Sequence, residues 1–362
     1  MQFITNAKVF SEEMAEALKY SSEKGALYQR SVLLTLKENT LEFRTRTFET
    51  QPYREHAFLS TLPVDGREDG QVAVSSYILS MLISSYDNED VEFKTTEKYL
   101  VIKQGKKRFE TKLWDLDAKE MEFSIPKEDD FSPLSEDFCN AITKVVYATN
   151  KKEPREICRS VFFEYTDEKL HIVSTDGKRI SAMSLHEKGK GKTLLPIEFA
   201  TLMGKTKAQY ICTEENRVIF KKDNRYYISS VYNAANYPNW KKIMPPKTDC
   251  EKLQVDKEEL EDAVKRMSIT AEPASHKIKL QAKDDKMTIT SLSNDGEGKE
   301  VIPCTLETPF EKYFRFNFLT DILKVSTSKT LTIHYGKADN RPIMITDEDP
   351  CFRAAVCDMR ES

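Results

Sequence analysis

The sequence has little of what most enzymes and secreted proteins need. Its 362 residues include only 11 glycines, without a GxGxxG, Walker or nucleophile-elbow pattern, so we expect no loop built to hold a phosphate or a catalytic serine. The five histidines lack HxxxH or HExxH spacing, and the seven cysteines form no CxxC pair. Such cysteine usage is typical of reduced thiols in the cytoplasm rather than of a disulfide framework or a zinc site. We therefore predict no catalytic residue, no metal and no cofactor.

Long apolar runs are also missing. No stretch approaches the roughly 18 apolar residues that span a bilayer, and the first residues, "MQFITNAKVF", lack a signal-peptide layout. We therefore expect a cytoplasmic protein without a membrane partner. The formal net charge of −4 does not exclude nucleic-acid binding, because the location of the Lys and Arg residues matters more than their sum. The length suits two or three domains.

One short stretch, "STDGKR" at 174–179, allows two interpretations. Ser174 and Asp176 could belong to a hydrolase. The same letters describe a tight turn between strands, in which Gly177 supplies a positive φ at little cost. We favour the turn, because no acid–base pair accompanies it.

What the sequence does have is a repeat of about 120 residues. A helix-like segment occurs as "SEEMAEALK" from Ser11, "SEDFCNAITK" from Ser135 and "KEELEDAVK" from Lys257. Apolar residues spaced three and four apart predict one buried helical face in each copy. These faces consist of Met14, Ala17 and Leu18; Phe138, Ala141, Ile142 and Val145; and Leu260, Ala263, Val264 and Met267.

A second helix recurs at 75–86, 196–206 and 317–328. It aligns Ile78 with Phe199 and Leu319, Met81 with Leu202 and Ile322, and Leu82 with Met203 and Leu323. Strand-like segments follow both helices, at 41–48, 169–176 and 286–293 and at 99–104, 217–222 and 330–336. Solenoid units are usually about 20 to 45 residues long, so a longer period predicts whole domains. We predict an α+β fold of three tandem similar domains, each with two helices packed on antiparallel sheets, at 1–125, 126–248 and 249–362.

Three motifs resemble those of one family. "STDGKRISAMS" (174–184) is similar to a "TDG-His/Lys-Arg-Leu" turn, and "NYPNWKKIMP" (236–245) to a "Phe-Pro-x-Tyr-x-x-hydrophobic-x-Pro" segment. The terminal "AAVCDMRES" (354–362) is similar to a "Met-Pro-Met-Arg" tail. The chain thus resembles the bacterial sliding clamp family, the β subunit of DNA polymerase III, in which all three of these motifs occur. Their order and spacing fit along the whole chain.

The resemblance implies a DNA clamp fold in which two subunits join head to tail into a homodimeric ring. Helices would line a hole that holds double-stranded DNA without sequence preference, and strands would form the outer wall. The implied function is that of a replication processivity factor. Its implied partners are the replicative DNA polymerase, the clamp loader and other proteins that carry a clamp-binding peptide.

The same resemblance predicts a partner-peptide pocket between the second and third domains. Flexible apolar walls accept the Leu and Phe anchors of several peptides, and Arg179 could fix a peptide backbone. Ordinary core packing competes with this interpretation, above all for Ile180, Ile243 and Val356. Cys158 stands where the family has a larger apolar residue. The predicted pocket residues are Cys158, Thr175, Gly177, Lys178, Arg179, Ile180, Pro238, Lys242, Ile243, Pro342, Val356, Cys357, Met359 and Arg360.

Lys and Arg residues near helix ends are the candidate DNA contacts. Such charges attract phosphates without reading bases, which suits a sliding ring. The helix dipole would favour cations at the same places, and Glu12, Glu16, Glu136, Glu258 and Asp262 make the polar face mixed. The predicted DNA-binding residues are Lys19, Lys24, Lys144, Lys151, Lys152, Arg155, Lys205, Lys207, Lys265, Arg266, Lys324 and Lys329.

Departures from the family pattern leave alternatives open. Cys357 and Asp358 replace the usual Met and Pro of the tail, Glu361 and Ser362 extend it, and "NAAN" (233–236) replaces an acidic-Gly turn. A clamp that serves a particular polymerase, as a second or element-encoded copy, fits these changes. A monomeric, clamp-derived adaptor whose ring no longer closes is the alternative from another class, and an enzyme built on a three-repeat scaffold is the third.

Overall fold

The computed structural model describes residues 1–50, 53–166, 168–245, 250–336 and 342–360. Within them the chain forms two compact units. Unit 1 comprises Met1–Ser135 and Thr206–Val231, and unit 2 comprises Glu136–Lys205 and Tyr232–Ser362.

Three of the helices in the described residues begin where the sequence supplies a side-chain cap. Asn6 Oδ1 accepts hydrogen bonds from the backbone of the first turn of one helix, as do Ser75 Oγ and Asp256 Oδ1 at two others, which satisfies amides that have no partner inside the helix. The first helix begins at Ala7, four residues before the segment that the repeat predicted. The helices of the described residues are α1 (Ala7–Leu18), α2 (Ser76–Ile83), α3 (Glu136–Val145), α4 (Ile197–Thr206), α5 (Trp240–Ile243), α6 (Lys257–Thr270) and α7 (Phe316–Val325).

Short strands alternate with these helices, and three of them coincide with the predicted segments at 99–104, 217–222 and 286–293. The first ten are β1 (Gln2–Asn6), β2 (Ser31–Lys37), β3 (Thr40–Thr50), β4 (Tyr53–Pro63), β5 (Asp65–Glu68), β6 (Gly70–Ser75), β7 (Asp90–Thr95), β8 (Tyr99–Gln104), β9 (Lys107–Lys112) and β10 (Ser132–Pro133). The next seven are β11 (Ser160–Thr166), β12 (Lys169–Thr175), β13 (Arg179–Leu185), β14 (Lys192–Pro196), β15 (Tyr210–Thr213), β16 (Arg217–Lys222) and β17 (Arg225–Ser230). The last eight are β18 (Glu251–Asp256), β19 (Lys277–Lys283), β20 (Lys286–Ser293), β21 (Gly296–Leu306), β22 (Phe310–Arg315), β23 (Thr330–Tyr335), β24 (Ile343–Thr346) and β25 (Phe352–Val356).

The strands form large antiparallel sheets, so the α+β fold class is confirmed. Unit 1 contains a five-stranded sheet, β5-β1-β7-β8-β9, and an eight-stranded sheet, β10-β15-β16-β17-β4-β3-β2-β6. Unit 2 contains a twelve-stranded sheet, β14-β11-β12-β13-β25-β24-β23-β18-β21-β20-β19-β22. Alternate side chains of a strand face opposite ways, and in β20 the inward positions are Met287, Ile289 and Ser291.

The helices pack in pairs, as the repeat predicted. Helix α1 contacts α2, and α6 contacts α7. Gly204 of α4 lies so close to α3 that an added Cβ would be 3.0 Å from Thr143 Cγ2.

The alignment of the second helices was wrong by one residue in the first copy. Leu79, Phe199 and Leu319 are the buried residues of matching position, and so are Ile83, Met203 and Leu323. Ile78 and Met81 are exposed instead. The run "YILSMLIS" is apolar on nearly all sides, so its pattern alone does not reveal which face is buried.

Compact units and sequence repeats do not coincide. Strand β17, from the second repeat, pairs with β4 of the first, from Arg225↔Ser60 to Ser229↔His56. Strand β25, from the third repeat, pairs with β13 of the second. The predicted boundary at 125 falls in a segment without strands between Met121 and Glu128, whereas the boundary at 248 lies outside the described residues. Within the described residues, no helix combines the length and the apolar character needed to cross a membrane.

Candidate binding sites

A cavity of about 280 Å³ opens in unit 2. Its walls come from the turn between β12 and β13, the segment that leads into β11, helix α5 and the end of β25. It is lined by Arg155, Ile157, Cys158, Thr175, Gly177, Lys178, Arg179, Ile180, Pro238, Ile243, Pro342, Ala355 and Cys357. Ten of the fourteen predicted pocket residues are in this lining, and the other four (Lys242, Val356, Met359 and Arg360) are not.

The β12–β13 turn has a conformation that its sequence specifies. Gly177 has a φ of +84°, in the region that favours glycine, and the interpretation of "STDGKR" as a turn is confirmed. Asp176 Oδ1 accepts hydrogen bonds from the amides of Lys178 (2.9 Å) and Arg179 (3.0 Å). Thr175 Oγ1 accepts one from the amide of Gly177 and donates one to the carbonyl of Arg179.

The guanidinium of Arg179 is buried, and each of its nitrogens donates a hydrogen bond inside unit 2. Nε donates to Asp176 Oδ2 (3.0 Å), Nη1 to Asp321 Oδ2 of α7 (2.7 Å) and Nη2 to the carbonyl of Tyr147 (2.8 Å). Its Cζ atom lies 4.5 Å from the centroid of the Phe318 ring. Arg179 therefore joins the wall of the cavity to α7, and each of its three guanidinium nitrogens already donates a hydrogen bond.

Arg155, which the sequence assigned to DNA, lies in the cavity wall. A Cβ added at Gly177 would be 2.8 Å from Arg155 Nη2, so the guanidinium lies directly against the glycine. Its Nε donates to Glu153 Oε1 at 2.6 Å. Sequence reasoning also missed Ile157 and Ala355, although Ile157 immediately precedes the predicted Cys158.

The C-terminal tail is fixed on both sides. The amide of Cys357 donates to the carbonyl of Lys178 (2.9 Å), and that of Met359 to the carbonyl of Tyr313 in β22 (2.8 Å). Asp358 forms an ion pair of 2.9 Å with Lys312.

These contacts explain why three of the predicted tail residues do not line the cavity. Val356 is fully buried in the sheet opposite Arg179 and Ile343, and Met359 lies against β22. Arg360 is exposed and its carbonyl accepts a bond from Lys277 Nζ at 3.4 Å. Glu361 and Ser362 lie outside the described residues.

Two thiols contribute to the cavity as apolar groups. Burial raises the pKa of both the Cys158 and the Cys357 thiols. A raised pKa keeps them protonated at neutral pH, and a protonated thiol is a poor nucleophile. They add to the apolar part of the lining, to which Ile180 and Ile243 also belong.

The predicted DNA contacts are distributed over both units. Several are already paired with carboxylates: Lys19 with Glu16, Lys144 with Asp349, Lys151 with Glu198, Arg155 with Glu153, and Arg266 with Glu300. Seven others are exposed: Lys24, Lys152, Lys205, Lys207, Lys265, Lys324 and Lys329. The surface that carries them is therefore mixed in charge, as the acidic residues of the repeat suggested.

A second, wider cavity of about 680 Å³ in unit 2 brings two predicted DNA contacts together. Lys144 of α3 and Lys324 of α7 both line it, beside Asn140, Thr143 and Asp349. Burial alone would raise the pKa of the Asp349 carboxyl, but hydrogen bonds from Lys144 and the Cys351 amide outweigh it and lower that pKa. Lys144 is thus partly neutralised.

Each unit also has an exposed apolar surface that the sequence did not predict. Among the exposed apolar residues of unit 1 are Tyr77, Ile78 and Met81 of α2 and Phe109 of β9, which we call the unit 1 apolar surface. Among those of unit 2 are Ile269 of α6, Leu292 of β20 and Val301 of β21, which we call the unit 2 apolar surface. Ile269 is 81% exposed, which is unusual for an isoleucine in a folded chain. Strand β9 is the last strand of its sheet.

Three comparisons with known proteins agree with one another. Residues 241–360 match the family model described as DNA polymerase III beta subunit, C-terminal domain. The chain is 25% identical to the beta sliding clamp of Treponema pallidum, over 92% of this chain and 93% of that protein. It is 24% identical to the beta sliding clamp of Bacillus subtilis, over 77% of each.

Solved structures show the same fold. The DNA polymerase III subunit beta of Pseudomonas aeruginosa superposes with a TM-score of 0.88 and 17% identity, over 99% of this chain and 100% of that one. A structure of the same organism's sliding clamp bound to griselimycin gives a TM-score of 0.89 and 17% identity, with 99% of each chain covered.

Proposed function

We propose that this homologue of the bacterial sliding clamps is itself a DNA sliding clamp, which encircles duplex DNA and keeps the replicative polymerase attached to it. The observation that carries the proposal is the agreement of fold over the whole chain with solved clamp structures. Sequence similarity to proteins named beta sliding clamp supports it independently. We assign the chain no reaction and no cofactor, and we place its work in the cytoplasm.

The ring would form from two copies, each with three domains at 1–125, 126–248 and 249–362. The unit 1 and unit 2 apolar surfaces are unlike each other, as a head-to-tail contact requires. Exposed apolar surfaces of this kind commonly mark protein interfaces. We propose that the unit 1 surface of one copy packs on the unit 2 surface of the other, and the reverse.

Strand edges support the same pairing. Strand β9 is the last strand of its sheet. An exposed last strand such as β9 also has backbone groups available for pairing with another chain.

Binding to DNA would be weak and independent of sequence. Each lysine or arginine that meets a phosphate releases counterions, which makes the affinity fall as salt rises. Because Lys19, Lys144, Lys151 and Arg266 already pair with carboxylates, the net attraction per residue is small. Retention on DNA would then depend on closure of the ring.

The cavity in unit 2 would hold short peptides of the polymerase, the clamp loader and other partners. Its lining combines apolar residues (Ile157, Cys158, Ile180, Pro238 and Ile243) with polar ones such as Thr175 and Lys178. Apolar pockets with a few placed polar groups are the usual form of a peptide or ligand site. Burial of one or two Leu or Phe anchors would supply most of the affinity.

Two measurements test the proposal. Light scattering at micromolar concentration should give twice the chain mass, and protein loaded on nicked circular DNA should stay bound until the circle is cut. Ile269→Asp should produce a monomer, because it places a charge in the proposed interface. Ile243→Asp is the matched control: it should keep the dimer mass but lose peptide binding.

The proposal of a ring would be overturned if the wild-type chain were monomeric and dissociated equally fast from cut and from circular DNA. If that monomer still bound clamp-binding peptides, the chain would be an adaptor rather than a clamp.

A further inference from the structure

We propose that unit 1 has a further binding site, a cavity of about 600 Å³ that accepts an indole-sized aromatic ring with a positive charge beside it. The inference goes beyond the proposed function, because none of the residues that line this cavity belongs to the unit 2 cavity or to the predicted DNA contacts. The lining consists of Leu33, Thr35, Glu42, Arg44, Gln71, Ala118, Glu122, Phe123 and Ser124.

The cavity lies on a sheet face that the first two repeats share. Strands β6, β2 and β3 of the first repeat are neighbours in the same order as β14, β11 and β12 of the second, and their pairing has the same register. The matching positions of the second and first repeats are Phe162 and Leu33, Glu164 and Thr35, His171 and Glu42, Val173 and Arg44, Lys192 and Gln71, and Leu194 and Ala73.

The segment that follows each repeat is fixed to the sheet at the same place. The amide of Tyr232 donates to the carbonyl of Leu194 (2.9 Å), and the amide of Trp114 donates to the carbonyl of Ala73 (2.8 Å). Eight residues further on, the second repeat has Trp240 and the first has Glu122. An indole in one repeat is therefore replaced by a carboxylate in the other.

Trp240 covers the shared face in the second repeat. Its Nε1 donates to Glu164 Oε2 at 3.2 Å, its ring centroid lies 5.2 Å from that of His171, and the side chain is buried. In the first repeat the matching residues, Thr35 and Glu42, line the cavity instead. A place that holds an indole in one repeat is thus open in the other, and its volume is in the range of ligand pockets.

An aromatic ligand has stacking and hydrogen-bonding partners there. The Cζ atom of Arg44 lies 5.2 Å from the centroid of the Phe123 ring, and Glu42 holds the guanidinium with a bond of 2.5 Å to Nε. A guanidinium plane stacks on aromatic rings, so a ligand ring would extend this stack. A buried indole N–H needs an acceptor, which the carboxylates of Glu42 and Glu122 supply.

The charges of the lining favour a cationic ligand. Glu42 pairs with Arg44, whereas Glu122 forms no ion pair within the described part of the chain. One carboxylate therefore remains without a counter-charge at the cavity. The positive charge of the ligand can come from a lysine or arginine beside a tryptophan of another protein, or from a free aromatic amine.

The first test varies the charge of the ligand. Tryptamine is positive, indole neutral and indole-3-acetate negative, and their dissociation constants for the full chain are measured by saturation-transfer NMR titration. Wild type should bind tryptamine about threefold more tightly than indole, as expected for an exposed ion pair, and indole-3-acetate least tightly. Glu122→Gln should bind tryptamine and indole equally well.

The second test fills the cavity. Thr35→Trp places an indole where the matching strand of the second repeat meets Trp240, so this variant should lose binding of all three compounds. Lys37→Trp is the matched control, because Lys37 is an exposed residue of the same strand outside the lining, and it should bind like wild type. Circular dichroism of each variant confirms that it is folded.

Equal affinity of wild type for the three compounds would overturn the inference, and so would tryptamine binding that survives Thr35→Trp. If Thr35→Trp did not fold, a preference for tryptamine that persisted in Glu122→Gln would overturn it instead. A blocked peptide, Gly-Trp-Lys-Gly, separates the two sources of the ligand. Binding of the peptide as tight as that of tryptamine assigns the site to a partner's tryptophan, and binding of tryptamine alone assigns it to a free aromatic amine.

Discussion

Arg179 contributes to the cavity mainly by holding its wall in place. The guanidinium is buried, and it connects Asp176 of the β12–β13 turn to Asp321 of α7. Removing one member of a buried ion pair leaves the other without compensation, which costs about 3–5 kcal/mol. Lysine would keep the charge but lose the forked geometry.

Arg179→Ala should therefore lower the free energy of unfolding by about 3–5 kcal/mol, as measured by urea denaturation. Asp321→Asn should cost less, because the Asp321 side chain is 34% exposed and the amide still accepts a hydrogen bond. If both variants were as stable as wild type, the contacts of Arg179 with Asp176 and Asp321 would not be what fixes the β12–β13 turn.

His171 makes stability depend on pH. Burial is the main reason why its pKa is lowered to about 4, and the charge of Lys241 adds to the effect while Glu164 opposes it. The ring lies 5.2 Å from that of Trp240, and its Nδ1 is 2.8 Å from Ser184 Oγ. The folded chain therefore holds the neutral form where an unfolded histidine, with a pKa near 6.5, would bind a proton.

Because the unfolded state binds more protons between about pH 6.5 and 4, stability should fall as the pH drops through this range. The loss from His171 should be complete below about pH 4. His171→Gln cannot bind that proton, so its melting temperature should fall less than that of wild type between pH 7 and 4.5. Parallel curves for the two proteins would contradict the prediction.

At the scale of single residues, the sequence predicts the residues of a turn better than it predicts which side chains contact each other. Gly177 and Asp176 were recognisable because a tight turn needs a positive φ and a local acceptor. The roles of Arg155 and Arg179 were not recognisable. Arg155 contacts the turn at Gly177, 22 residues later in the chain, and Arg179 contacts α7. Such partners are brought together by the tertiary fold, and no local pattern records them.

The α3–α4 pair shows what a helix needs at a close crossing. Gly204 lies against α3, where an added Cβ would be 3.0 Å from Thr143 Cγ2 and 3.3 Å from the carbonyl of Cys139. Inserting a large side chain into a packed contact costs about 1–3 kcal/mol. The crossing therefore depends on the absence of a side chain.

Gly204→Leu should lower the free energy of unfolding by about 1–3 kcal/mol, although leucine favours helix more than glycine does. Lys205→Leu is the control, because the next residue of the same helix is exposed. Thermal melts of the two variants separate the crossing from helix propensity. Equal melting temperatures would mean that α4 shifts without cost.

The elements themselves were largely predictable from the sequence. All three helix pairs and several strands fall where the repeat and the apolar periodicity placed them. The buried face of α2 was not predictable, because Ile78 and Met81 continue an apolar run but face outward. The periodicity assumes that apolar residues are buried, and this assumption fails on α2, where both side chains are exposed.

For the molecule as a whole, sequence repeats and folding units differ. Strands β15–β17, from the second repeat, extend the sheet of the first through the β17–β4 pairing. The carboxylate of Glu13 in α1 is buried, and Arg225 of β17 pairs with it at 2.7 Å. A pattern of repeats indicates shared ancestry of segments, but it does not reveal which segments complete a sheet.

A fragment of residues 1–125 should therefore not fold alone, although the repeat defines it as a domain. It would expose the edge of β4 and leave Glu13 without its partner, and a buried charge without a partner is strongly destabilising. Circular dichroism and urea denaturation of the fragment should show no cooperative transition.

The matched control is the full chain with a protease site inserted between Met121 and Glu128, where no strand is interrupted. After cleavage its two pieces should remain together and unfold in one transition, because β17 still pairs with β4. If the isolated fragment unfolded cooperatively with native-like stability, the shared sheet would not be required, and the repeats would be independent folding units after all.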